Sequence, residues 1–169
     1  MMMPPFRSRV RELWRERNPG LDTSPMEVVA QIKRITALLE LAVEPLYDGA
    51  ALTTAEVELL VPLRHTDEPV TAGRLASQLG MSRAGVSKAL AKLEKRGLIT
   101  RSVNPADRRA AFVGMTKAGR DTIDDLFPRE LEAHGQLLAG LGRNRAKVLD
   151  ALTLLGDTME SHLYNENSK

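Results

Sequence analysis

The most restrictive feature of the sequence lies between Thr71 and Gly97, where two helices are written back to back. Thr71 supplies an N-cap oxygen for a short helix running to Leu79, and Gly80 closes it. Two residues on, Ser82 caps a second helix, Arg83 to Arg96, which Gly97 ends as a C′ residue. Two short helices joined by a glycine-containing turn make a helix-turn-helix. Val86, Leu90 and Leu93 share one side of the second helix, where Leu75, Leu79 and Met81 can cover them. Its other residues must then face outward.

Leu98 to Val103 and Ala110 to Met115 have strand composition, and Asn104-Pro105-Ala106-Asp107 between them is turn chemistry. They predict a β-hairpin with Arg108 and Arg109 beside its tip. Upstream, Phe6, Val10, Leu13 and Trp14 predict an amphipathic helix over residues 6–17, ended by Asn18-Pro19-Gly20. Ser24-Pro25-Met26-Glu27 reads as a capping box opening a long helix to Tyr47, with Val28, Ile32, Ile35, Leu39, Ala42 and Leu46 as its seam. Thr53 and Glu56 repeat the box ahead of a third helix ending near His65. Thr116 caps a helix that Pro128 is expected to kink or break, resuming from Glu130 to Leu141. The last helix carries Val148, Leu152, Leu155, Met159 and Leu163, and Asn165 to Lys169 reads as a tail. The expected fold is mainly α with a small β-hairpin wing.

Charge singles out the same segment. Met81 to Arg120 holds ten basic residues against two acidic ones, a local balance of +8 in a chain whose formal net charge is +2, so the remainder carries −6. A cationic stretch on an acidic chain is the footprint of a face that meets a polyanion. A solvated basic helix is the plainer reading. Local chemistry favours the first. Ser82, Arg83, Ala84, Gly85, Ser87, Lys88 and Lys92 put small residues near the helix start and long cations beyond them. Small side chains permit close approach to a major groove, Arg can fork onto a guanine edge, and Ser or Lys can hold phosphate. Arg108 and Arg109 suit a narrow minor groove. Lys95, Lys117 and Arg120 read as solvated charges, and Asp107 as a brace for Arg74 or a wing arginine.

The order of these segments resembles the MarR family of winged-helix transcriptional regulators. The resemblance rests on Leu93-Glu94-Lys95-Arg96-Gly97-Leu98-Ile99, the wing Asp107-Arg108-Arg109 and the helix start Thr116-Lys117-Ala118-Gly119-Arg120, and it spans residues 25–164. It implies a homodimer on a pseudo-palindromic operator in double-stranded DNA, released by a small ligand. It also implies an N-terminal extension over residues 1–23, dimerisation helices over 24–50 and 117–165, and a winged helix-turn-helix over 51–116. The long apolar helices at both ends favour a dimer independently, unless they pack on each other within one chain. Trp14 and Asn18-Pro19-Gly20-Leu21-Asp22 are similar to a PecS-like, urate-responsive branch, which implies an organic anion effector such as urate or a tricarboxylate at Trp14, Asp67, Arg96 and Arg108. A lone Trp at helical spacing is otherwise a packing residue.

Other functions find little support. Cysteine is absent, which excludes disulfides, thiolate metal sites and thiol-based sensing, and makes the cytoplasm the expected compartment. Aromatic residues at 4% are too sparse for a single-strand stacking platform. No P-loop, nucleophile elbow or zinc-protease motif occurs, and His65, His134 and His162 are far apart, so neither an enzyme nor a bound cofactor or metal is expected. No run has the length and apolarity of a membrane span. The competing expectation is a winged helix used for protein assembly, its basic face meeting an acidic partner, with no specific DNA target.

Overall fold

The computed structural model describes residues 5–66, 68–107 and 109–166. Along them run α1 (Pro5–Arg17), α2 (Pro25–Tyr47), α3 (Thr54–Arg64), β1 (Val70–Thr71), α4 (Ala72–Gln78), α5 (Arg83–Lys95), β2 (Ile99–Ser102), β3 (Phe112–Met115), α6 (Lys117–Leu138), a 3-10 segment (Ala139–Asn144) and α7 (Arg145–Glu166). The chain divides into two units, residues 1–134 and 135–169.

In the first unit, α3, α4, α5 and the start of α6 enclose one apolar core with the sheet. Leu59, Leu60, Leu75, Val86, Leu90 and Leu93 are essentially inaccessible to solvent, and Ile99 and Ile123 nearly so. Each such side chain contributes about 1.5–3 kcal/mol relative to exposure. The spacing of the buried residues on α5 is the one read from the sequence, and Leu79 and Met81 cover them in part. Capping is equally local. Thr53 and Glu56 form a reciprocal box at α3, and the hydroxyls of Thr71 and Ser82 accept from Arg74 N–H (3.3 Å) and Gly85 N–H (3.1 Å). Gly97 takes φ +72°, the left-handed turn that ends α5 and starts β2.

Several expectations are corrected. The sheet has three strands, in order β1-β3-β2, because Val70 and Thr71 pair antiparallel with Val113 and Phe112. A two-residue strand has no periodicity to detect. At α2 the capping box does not form. Ser24 has helical angles and makes no side-chain cap, while its backbone N–H donates to Asp22 Oδ1 (2.9 Å) and thereby lowers the Asp22 pKa. Glu27 instead meets Arg11, tying α2 to α1. Pro128 does not break α6, which continues to Leu138, and the 3-10 segment then replaces its expected last turn.

The second unit comprises the end of α6, that 3-10 segment and α7. Within the 3-10 segment Gly142 has φ +47°, which kinks it. Leu149, Leu152, Leu154 and Met159 are at least half exposed, and α7 extends to Glu166, past the expected start of the tail.

Candidate nucleic-acid interface

The surface of α5 is organised by what its buried stripe leaves outside. With Val86, Leu90 and Leu93 sealed, Arg83, Ala84, Gly85, Ser87, Lys88 and Lys92 are all exposed. Ser82, also exposed, spends its hydroxyl on the helix start by capping the amide of Gly85, and Ala84 and Gly85 of that turn are small. A Cβ on Gly85 would lie 2.9 Å from Ser82 Oγ, so glycine lets that cap close without displacement. Ala91, exposed at i+3 from Lys88 and i+4 from Ser87, extends the face of close approach. Its signal was in the spacing, but an alanine carries no charge to draw attention.

Pairing separates the cations of this region into two groups. Arg74 is tied to Glu68 (3.2 Å), Arg96 to Glu56 (2.9 Å), Arg101 to Glu94 (3.2 Å) and Lys117 to Asp121 (2.6 Å), while Arg120 donates to the Met115 carbonyl (2.8 Å). Arg83, Lys88, Lys92, Lys95 and Arg109 have no carboxylate partner among the described residues. Exposed cations without partners keep their full charge for an external anion. The Arg101–Glu94 pair also links the wing strand β2 to α5.

The wing tip is built by two acceptors. Asn104, nearly buried, takes the N–H groups of Ala106 (2.9 Å) and Asp107 (3.3 Å), and Asp107 Oδ1 takes the N–H of Arg109 (2.9 Å). Asp107 therefore braces the backbone of a wing arginine, while Arg74 turns to Glu68. Arg109 is exposed. Arg108 and Asp67, assigned to DNA and effector contacts, lie outside the described residues.

Among the described residues, the remaining effector candidates Trp14 and Arg96 have different surroundings. Trp14 is half exposed beside a shallow pocket that it lines with Val10, Leu13, Arg17 and Asn18, all from α1 and the turn after it. Arg96 is committed elsewhere: besides Glu56 it donates to the Ala51 carbonyl (2.7 Å). Among the described residues no group of three His, Cys, Asp or Glu is placed to hold a metal ion, and no helix is long and apolar enough to cross a membrane.

A capped, cation-bearing second helix followed by a braced β-wing defines the winged helix-turn-helix class of DNA-binding protein. Residues 52–110 match the model of the MarR family. The chain is 26% identical over 160 residues to the HTH-type transcriptional regulator PecS of Dickeya dadantii (strain 3937), covering 94% of this chain and 95% of that one. Its fold is similar to the S. aureus MepR–DNA complex (TM-score 0.68, 21% identity, 75% of this chain and 95% of that). It is likewise similar to Bordetella bronchiseptica BpsR, in a structure concerned with regulation of DNA binding by 6-hydroxynicotinic acid (TM-score 0.66, 23% identity, 78% and 98%). Over residues 52–110 the chain is of MarR type, and along most of its length it is similar to a helix-turn-helix transcriptional regulator.

Proposed function

We propose that the protein is a ligand-responsive repressor that binds a specific double-stranded operator as a homodimer. The observation that carries this reading is the exposed, unpaired set Arg83, Lys88 and Lys92 beside Ala84 and Gly85 on α5. In the major groove, Arg83 reads a guanine edge, Ser82, Ser87, Lys88 and Lys92 hold phosphate, and Arg109 with Arg108 enters the neighbouring minor groove. The MepR–DNA complex supports the use of this fold on duplex DNA. Residues 51–116 form the DNA-binding part and residues 24–50 and 117–165 the dimerisation part, with 1–23 an extension. Val28, Val29, Ile35 and Leu41 of α2, and Leu149, Leu152 and Leu154 of α7, are apolar and largely exposed, the condition a second copy would relieve. Two-fold symmetry then sets the paired α5 helices about 34 Å apart, one DNA turn.

An organic anion is the proposed effector, supported by likeness to PecS and by the BpsR ligand. An anion that took Arg96 would have to displace Glu56 and the Ala51 carbonyl. Titration with urate or citrate, followed by Trp14 fluorescence and by release from DNA, tests this; no change in either signal with both anions removes it. For DNA, an electrophoretic shift with the region upstream of the coding sequence is decisive. Sequence-specific retardation at physiological salt is the expected result, whereas none, together with retention by an acidic protein partner, would establish the assembly reading.

A further inference from the structure

Resting on the DNA-binding reading, we infer that Arg96 is a positioning residue that latches the C-terminal end of the recognition helix to the α2–α3 linker. Arg96 is the C-cap of α5, and its backbone N–H still bonds the helix at Lys92 O (3.2 Å). Its guanidinium is divided between two acceptors on another part of the chain. One nitrogen donates to the carbonyl of Ala51 (2.7 Å), and another forms an ion pair with Glu56 Oε1 (2.9 Å). Glu56 is 5% exposed, and its second oxygen accepts the N–H of Thr53 (3.0 Å) as half of the α3 capping box. One carboxylate therefore closes the start of α3 and holds the end of α5.

The fork geometry of a guanidinium suits it to two acceptors set at fixed positions, which a single ammonium cannot match. The bond to the Ala51 carbonyl is charge-assisted, the stronger kind, and the buried Glu56 has a large cost if its ion-pair partner is removed. The Ala51 carbonyl lies in the segment between α2 and α3, so the latch connects the chain leaving α2 to the helix that reads DNA. A shift of that segment is transmitted to α5 through this side chain as well as through the core in which Leu52 is buried. Arg96 acts through α5 and touches no base or phosphate itself.

The test uses the full chain with Arg96→Gln, Arg96→Lys and Glu56→Gln, the last keeping an amide oxygen for Thr53 if Arg96→Gln fails to fold. Operator affinity is measured across salt concentrations well below melting, with amide exchange at Gly97 and Leu98 in the free protein. Arg96→Gln and Glu56→Gln should each weaken operator binding about tenfold, the scale of one charge-assisted hydrogen bond, with the salt slope unchanged, and should speed exchange. Arg96→Lys should fall between them and wild type. Unchanged affinity in both variants while wild type binds its operator overturns the inference, as does loss with a salt slope flatter by about one, which marks a direct phosphate contact. If wild type shows no specific binding, the DNA reading itself fails; unchanged exchange at Gly97 and Leu98 then overturns the latch.

Discussion

Gly119, in the first turn of α6, lies directly against the backbone carbonyl of Leu98: a Cβ added at Gly119 would sit 2.0 Å from that oxygen. The same carbonyl accepts the N–H of Thr116 (3.1 Å), and Thr116 Oγ1 bonds Gly97 O (2.7 Å) and Gly119 N–H (3.0 Å). The start of α6 is therefore docked on the start of β2, with no room for a side chain. Gly119→Ala should destabilise the fold by about 1–3 kcal/mol, the cost of forcing extra volume into a packed site. Chemical denaturation checks this, and an unchanged midpoint would contradict the close approach.

The proposed DNA surface makes two predictions of different kind. Arg83→Ala should lose about 1–3 kcal/mol at one base position and relax preference there. Lys92→Ala should weaken all duplexes alike and flatten the salt slope by about one. Binding to a panel of single-base operator variants separates the two. Equal affinity of Arg83→Ala and wild type across the panel would move the reading surface off the start of α5.

Leu152 is half exposed on α7. If a second copy covers it, Leu152→Glu buries a charge in an apolar contact and should dissociate the dimer. Sedimentation velocity gives the answer directly. A dimer that survives the substitution places the contact elsewhere.

Tyr47 donates its phenol to Glu130, joining α2 to α6, and burial followed by that hydrogen bond raises the Tyr47 pKa. Because the folded value lies above the unfolded value of about 10, the contribution is fully present below that pH and is lost as pH rises through the folded value. Stability should decline on the alkaline side from about pH 10 upward. Tyr47→Phe should remove that part of the decline while lowering stability at neutral pH, because Glu130 loses its donor. Denaturation midpoints of the two proteins across alkaline pH provide the comparison.

The legible parts of this protein are those in which cause and effect are a few residues apart. The caps at Thr53, Thr71, Ser82 and Thr116, the left-handed glycine ending α5 and the stripe Val86, Leu90, Leu93 depend on neighbours within one or two helical turns, so the helix-turn-helix was readable before any coordinates. The same logic misled at Ser24, where the capping-box residues are present but Glu27 finds Arg11 and the box stays open. A motif states which partner is available nearby, not which one wins.

Sequence alone determined the order of helices, the outward identity of Arg83, Ser87, Lys88 and Lys92, and the cationic character of the middle segment, because periodicity and charge are one-dimensional properties. Tertiary structure decided which cations remain unpaired, the third strand at Val70–Thr71, and the long-range joins of Tyr47 to Glu130, Arg64 to Asp124 and Arg96 to Ala51 and Glu56. Those partners are separated by many residues along the chain and have no local signature. Only the packing of α3, α5 and α6 around one core brings their donors and acceptors within reach of each other.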